Sequence, residues 1–392
     1  MKIYPNLLHA VADGLAETFD GRYADRVVAD LLKRDRRWGS RDRAFIAESV
    51  YEVVRWRRLL GHLAGRPEPE FLLAAHWWRR YGEVLDAPGF PILYPTDLEA
   101  GAASANAQRA VRESIPDWLD LLGAEELGAA WPETLSALNQ PAEVYLRTNT
   151  LKTTRAALLA ALRGEGVEAE ADERSPEAIR VTRRRNLWST ASFREGQYEV
   201  QDIGSQRIAH ALEVEPGMTV VDACAGAGGK TLHLAALMRN RGRLIALDTD
   251  ERKLRELKRR ARRAGLQNVE VRAITSSKVV KRLGAQADRV LLDVPCSGLG
   301  VLRRNPDAKW KLQPGFLAEV KTWQAEILGR YSRMVGPDGK LVYATCSILP
   351  SESEAQVEAF ATAGGGWAEE ASERLSPVDG YDGFYFARLA RA

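Results

Sequence analysis

Apolar positions recur at offsets of three and four along the first third of the chain. Within 41–56, Phe45, Ile46, Val50, Val53 and Val54 form one stripe, while Arg43, Glu48 and Arg55 fall outside it. That period predicts an amphipathic helix, with Ser40 expected as its N-cap and Arg43 at N3. Further helices are expected around 71–81 and 117–127, and Asp86-Ala87-Pro88-Gly89-Phe90-Pro91 marks a turn between them. Near Gln140 the texture changes. A strand is predicted over 144–149, a helix over 153–162 and a strand over 178–181, a small α+β unit ending near Tyr198. Beyond Gln201, short apolar runs at 219–222, 244–248, 289–293 and 340–345 alternate with helical patterns at 230–238 and 251–264. Such alternation to the end of the chain predicts a doubly wound parallel sheet. The expected organisation is a helical region over 1–135, the small α+β unit over 140–200 and an α/β domain over 201–392.

Composition narrows the class. The 392 residues are 45% hydrophobic and 28% charged with a formal net charge of +3, which describes a globular protein and not a disordered one. No run approaches the ~18 apolar residues of a membrane span, and the first residues lack a secretory pattern. A cytoplasmic protein without a membrane partner is expected. Cys224, Cys296 and Cys346 are too few and scattered for a disulfide framework or a zinc site. The five histidines show no HxH or HExxH grouping, so no metal is expected, and a monomer is anticipated. Of the 56 basic residues, 44 are Arg. Arg forks onto phosphate bidentately, which suits nucleic acid, although codon bias produces the same excess. The clusters Arg183-Arg184-Arg185 and 252–263 read equally as solvated faces or phosphate contacts. Trp77-Trp78 is expected in the core.

Candidate chemistry begins at Asp222-Ala-Cys-Ala-Gly226-Ala-Gly228-Gly229-Lys230-Thr231, where a strand meets a helix. Glycines there let a ligand approach the backbone, and helix N–H groups point into the gap. A P-loop fails, because its first glycine would fall at Cys224. The dinucleotide fingerprint GxGxxG fails at Thr231. An acidic residue, three residues and then GxG does fit, and this resembles the S-adenosylmethionine loop of class I methyltransferases. Asp248, 22 residues after Gly226, ends the next strand where a ribose-binding carboxylate belongs. Cys224, Ala225, Gly226, Ala227, Gly228, Gly229, Lys230, Asp248 and Asp293 are the expected cofactor-binding set, with Cys224 itself a packing residue of the loop.

Cys296 and Cys346 each follow a strand, at the carboxyl edge where open α/β sheets bind ligands. Asp293-Val-Pro-Cys-Ser-Gly-Leu-Gly, Arg303-Arg304-Asn305-Pro306-Asp307 and Thr345-Cys-Ser, taken with the glycine loop, resemble the RsmB/NOP/Sun family of RNA 5-methylcytosine methyltransferases. The resemblance implies a Rossmann-like methyltransferase core over roughly 200–390, preceded by a small RNA-binding α+β subdomain and an all-helical NusB-like region. It implies S-adenosylmethionine as cofactor and RNA as partner, with 16S ribosomal RNA the expected substrate. tRNA, or a non-catalytic role in ribosome assembly, are the alternatives. Spacing does not decide which thiol attacks. By resemblance, Cys346 is the nucleophile that adds to cytosine C6, Cys296 assists product release and Asp293 binds the cytosine ring. Position next to the Cys296 motif directs the 301–310 loop toward RNA. The chain departs from the family at Ala227, where Pro is common, and at 269–277, which lacks the usual adenine-contacting Asp and leaves Thr275 or a backbone group. Ser353 stands where Asn is usual.

Overall fold

The computed structural model describes residues 4–363 and 365–391. The chain divides into two compact units, one formed by 1–140 with 301–314 and the other by 141–300 with 315–392.

The first unit is helical. Helices Pro5–Phe19, Ala24–Arg34, Ser40–Arg55, Arg57–Ala64 and Pro69–Tyr81 turn their apolar stripes onto one core that includes Leu15, Leu31, Val50, Val54, Leu60 and Leu72. Trp77 is buried there and Trp78 packs against it, so this aromatic pair is core as expected. The helix predicted over 41–56 begins one residue early, at Ser40, the residue expected as its cap. Gly39 is the N-cap and Ser40 lies within the helix. Asp42, at N3, accepts the Gly39 N–H at 2.9 Å, so a carboxylate in the first turn does the work assigned to the Ser40 hydroxyl. The 301–314 segment also belongs to this unit. Trp310 donates from its indole to the Val54 carbonyl at 2.8 Å, Asp307 accepts the Ala24 N–H at 3.1 Å, and buried Lys309 reaches Asn139 Oδ1 at 3.2 Å. Asp307, Lys309 and Trp310 of the loop expected to face RNA are therefore committed to packing among helices.

The second unit holds two sheets. Strands β1 (Val144–Thr148), β2 (Ala169–Ala171), β3 (Ala178–Val181) and β4 (Tyr198–Val200) form an antiparallel sheet in the order β2-β3-β1-β4. The helix Arg155–Gly164 covers it, started by Thr154, whose hydroxyl accepts the Ala157 N–H. The larger sheet comprises β5 (Thr219–Asp222), β6 (Arg243–Asp248), β7 (Val269–Ala273), β8 (Ala287–Asp293), β9 (Val335–Thr345), β10 (Trp367–Leu375) and β11 (Phe384–Arg391), in the order β10-β11-β9-β8-β5-β6-β7. Five neighbours are parallel, but β10 and β11 form an antiparallel hairpin on the edge of β9. Alternation of strand and helix to the chain end is thus corrected: the last two strands are joined by a loop with only a short 3-10 turn at Pro377–Asp379 and no α-helix. Among the described residues no helix is long and apolar enough to cross a membrane.

Candidate active site

Parallel pairing brings the chemistry to one edge. Val220 to Asp222 of β5 run beside Arg289 to Leu291 of β8, and β8 runs beside β9 with Asp293 opposite Ala344. The chain leaves β8 toward Cys296 and β9 toward Cys346 within three residues of that pair. The two sulfurs consequently meet, Sγ to Sγ, at 3.3 Å as free thiols. Spacing of 50 residues in sequence conceals this contact; the register of two parallel strands creates it.

After β5, Gly226 and Gly228 adopt φ of +54° and +89°, the left-handed region that side chains resist. A Cβ on Gly226 would meet nothing within 4 Å, so the loop keeps open space above its backbone. Asp248, at the end of β6, accepts the Gly226 N–H through Oδ2 and the Asp250 N–H through Oδ1, both at 2.8 Å. These bonds orient its carboxylate over the loop while leaving lone pairs for a hydroxylated ligand. Arg260 donates to the Ala227 carbonyl at 2.8 Å and pairs with Glu199, as does Arg263. Two members of the basic 252–263 run are thereby structural supports. Arg252, Lys253, Arg255, Lys258, Arg259 and Arg262 remain on the exposed face.

Cys224 is half-buried, and desolvation together with the charges of Asp222, Asp293 and Asp248 pushes its thiol well up. It therefore stays protonated at neutral pH. Asp222 is buried; desolvation raises its carboxyl to about 7, although Thr231 donates its hydroxyl to Oδ2 at 2.6 Å. Lys230 is the group whose role the sequence pattern understated. It opens the helix Gly229–Leu237, yet its ammonium bonds Asp293 Oδ2 at 2.6 Å. Burial opposes its charge, but the Asp293 carboxylate more than compensates and holds it above an ordinary lysine. The Cys346 sulfur adds to this stabilisation, so a fixed positive charge lies within electrostatic reach of that thiol.

The other thiol has a different setting. Cys296 is driven well up by its contact with Cys346, by burial and by the nearby Glu352 carboxylate. Glu352 is fully buried and binds both cysteine loops: Oε2 accepts the Ser297 N–H at 2.8 Å, and Oε1 accepts the Ser347 hydroxyl at 2.6 Å and the Ser297 hydroxyl. Ser353, in place of the usual Asn, shares a hydrogen bond with the Thr345 hydroxyl at 3.1 Å.

Glu177, His210 and His233 also gather, although 56 residues separate the outer two. Glu177 Oε2 bonds His210 Nε2 at 2.8 Å and lies 3.5 Å from His233 Nε2. Burial depresses His233 to about 3, leaving a neutral ring, and the Arg147 charge acts in the same direction. That guanidinium opposes a cation at this point. The cluster reads as a joint fixing the loop before β3 onto the helices Ile203–Ala211 and Gly229–Leu237.

Comparison with known proteins agrees with this architecture. A family model described as 16S rRNA methyltransferase RsmB/F matches residues 209–390, and one for the RsmF/B-like ferredoxin-like domain matches 115–187. A probable ribosomal RNA small subunit methyltransferase B of Synechocystis sp. is 36% identical over 267 residues. That match covers 67% of this chain and 60% of the relative, so the chain spans less than two thirds of it. Ribosomal RNA small subunit methyltransferase B of Sodalis glossinidius is 34% identical over 303 residues, 74% of this chain and 69% of the relative. The crystal structure of PH0851 shares the fold, with a TM-score of 0.82 at 22% identity across 100% of both chains. On the strength of these matches, the chain belongs to the RsmB/F methyltransferase family.

Proposed function

We propose that this chain transfers a methyl group from S-adenosylmethionine to C5 of a cytosine in RNA, with 16S ribosomal RNA as substrate. The observation that carries the reading is the meeting of two thiols at 3.3 Å next to the Lys230–Asp293 pair, on the edge that also bears the glycine loop. The residues present suit the cofactor. Open backbone at Gly226 and the oriented carboxylate of Asp248 match a nucleoside with ribose hydroxyls. When bound, S-adenosylmethionine supplies an electrophilic methyl group on sulfonium.

Cytosine C5 is a poor nucleophile, and the thiols remedy this. Cys346 gives up its thiol proton to a base and forms a sulfur–carbon bond to C6, and the C5–C6 electron pair moves onto C5 and, through C4, toward N3. Negative charge on the attacking sulfur is stabilised by Lys230. The proton shared by the Lys230–Asp293 pair is presented by the Asp293 carboxyl to N3 of the pyrimidine, where it neutralises the negative charge that develops as Cys346 adds to C6. C5, now enamine-like, accepts the methyl group. Loss of the C5 proton to a base then returns the electron pair to the C5–C6 bond and expels Cys346 as thiolate. Cys296, at 3.3 Å from the departing sulfur, assists this release. The difference in electrostatic setting supports that division of labour, because Lys230 serves Cys346 whereas Glu352 opposes an anion on Cys296.

The test uses tritiated S-adenosylmethionine with unmodified 16S RNA and, in parallel, unmodified tRNA. Label in 5-methylcytidine of 16S RNA is expected from wild type. Cys346→Ala should give neither turnover nor adduct, and Cys296→Ala should accumulate a protein–RNA adduct on denaturing gels. An adduct persisting only in Cys346→Ala would reverse the thiol roles, and label confined to tRNA would replace the substrate.

A further inference from the structure

Glu352 is 0% exposed, and no cofactor or RNA is needed to explain why a carboxylate is buried there. Its environment consists of donors drawn from three directions. Ser297 gives its backbone N–H and hydroxyl, Ser347 gives its hydroxyl, and Gln324 gives Nε2 at 3.1 Å. Ser297 and Ser347 directly follow Cys296 and Cys346 and share a hydroxyl contact of 3.2 Å. Gln324, from the helix Pro314–Tyr331, also donates to the Pro295 carbonyl at 2.9 Å, on the other side of Cys296. The Glu352 backbone carbonyl is itself fixed by the Tyr343 hydroxyl at 2.8 Å. Buried carboxylates persist when their oxygens are fully paired, and this one is paired almost entirely with the two cysteine loops.

We propose that Glu352 is a positioning residue that holds the Cys296 and Cys346 loops at their working separation and, by standing on the Cys296 side, makes the two thiols chemically unequal. The inference rests on the two-thiol reaction proposed above, but its physical content does not require RNA. The two loops also meet through the Ser297–Ser347 hydroxyl pair and the Gly300 N–H to Cys346 carbonyl bond, and the buried acceptor shared by both serines binds them into one rigid element. The contact with Cys346, burial and the Glu352 charge all keep Cys296 as thiol, whereas the charged group that interacts with Cys346 is the Lys230 ammonium.

The experiment measures thiol chemistry in the full-length protein without RNA or cofactor. Iodoacetamide alkylation is followed from pH 6 to 10, with Cys296 and Cys346 peptides resolved by mass spectrometry. Glu352→Gln keeps the shape and removes the charge. It is expected to raise the Cys296 rate about tenfold at a fixed pH below its titration, a shift of one pKa unit, with little change at Cys346. Ser347→Ala keeps the charge and removes one tether. It should slow formation of the Cys296–Cys346 disulfide by diamide, which takes up the two hydrogens, by about fivefold, because a disulfide demands close sulfur approach. An unaltered Cys296 profile in folded Glu352→Gln overturns the electrostatic role, and an unaltered disulfide rate in Ser347→Ala overturns the positioning role. If Glu352→Gln does not fold, Ser347→Ala decides the positioning role and Glu352→Asp, which retains the charge but withdraws it by one methylene, decides the electrostatic one through the Cys296 alkylation profile. Failure of the RNA reaction with both thiol results intact would instead reject the proposed substrate chemistry.

Discussion

Asp222 carries a pH dependence that can be worked out from its surroundings. Its ordinary value is 3.8, and burial raises it to about 7 in the folded chain. Below pH 4 the carboxyl is protonated in both folded and unfolded chains, and the full contribution is present. As pH rises toward 7 the unfolded chain ionises first, so stability falls, and the loss is complete once the folded carboxyl has ionised. Asp222→Asn removes this titration. Its unfolding free energy, measured in urea from pH 5 to 8, should gain on wild type by about 2 kcal/mol across that range. At the residue scale the sequence was informative about identity and poor about partnership. The glycine spacing located the turn at Gly226 and Gly228 because their positive φ demands glycine at fixed offsets. Nothing local to Lys230 indicated Asp293, 63 residues away, and nothing local to Glu352 indicated two serine-bearing loops. Such pairs exist only once strand order is known.

At the scale of elements, Gly300 shows how closely the loops after β8 and β11's approach are packed. Its N–H donates to the Cys346 carbonyl at 2.9 Å, and its carbonyl accepts the Gly383 N–H at 2.8 Å. A Cβ at Gly300 would run into the Gly383 carbonyl and come within 2.9 Å of the Cys346 oxygen. Gly300→Ala should cost about 3 kcal/mol in stability, and its residual folded fraction should lose methyl transfer far more than cofactor binding, as read by isothermal titration. Helices were legible wherever a 3.6 period met a clear stop, and the 251–264 helix matches because Asp250 caps it and Gly265 terminates it at φ +77°. The β10–β11 hairpin was not. β10 is largely exposed between its buried ends Trp367 and Leu375, so it lacks the apolar run that announced the central strands. Edge strands take their place from backbone pairing, which leaves little trace in side-chain pattern.

For the whole molecule, the sequence divided the chain by texture, and texture failed at one place. The 301–314 segment lies among residues of the α/β domain in sequence but packs in the helical unit. Lys309 reports on that packing. Burial, reinforced by Arg55, lowers its amine from 10.5 to about 7. Below pH 7 both folded and unfolded chains carry the charge; above it the folded amine is neutral while the unfolded one still binds a proton. Stability of the helical unit should therefore rise from pH 7 toward 10, and Lys309→Met should abolish that slope in thermal melts followed by Trp fluorescence.

The route of the chain has another consequence. A single cut near residue 140 separates the helical unit from most of the sequence, but not from all of its structure. Expressed alone, 141–392 would part Trp310 from the helical core it packs against, and 1–140 would lack the indole that bonds Val54. Neither fragment is a module in the sense that gene fusion or exchange requires. The helical unit of this protein is built from two stretches of chain, and the second of them, 301–314, is inherited only with the sequence that surrounds it.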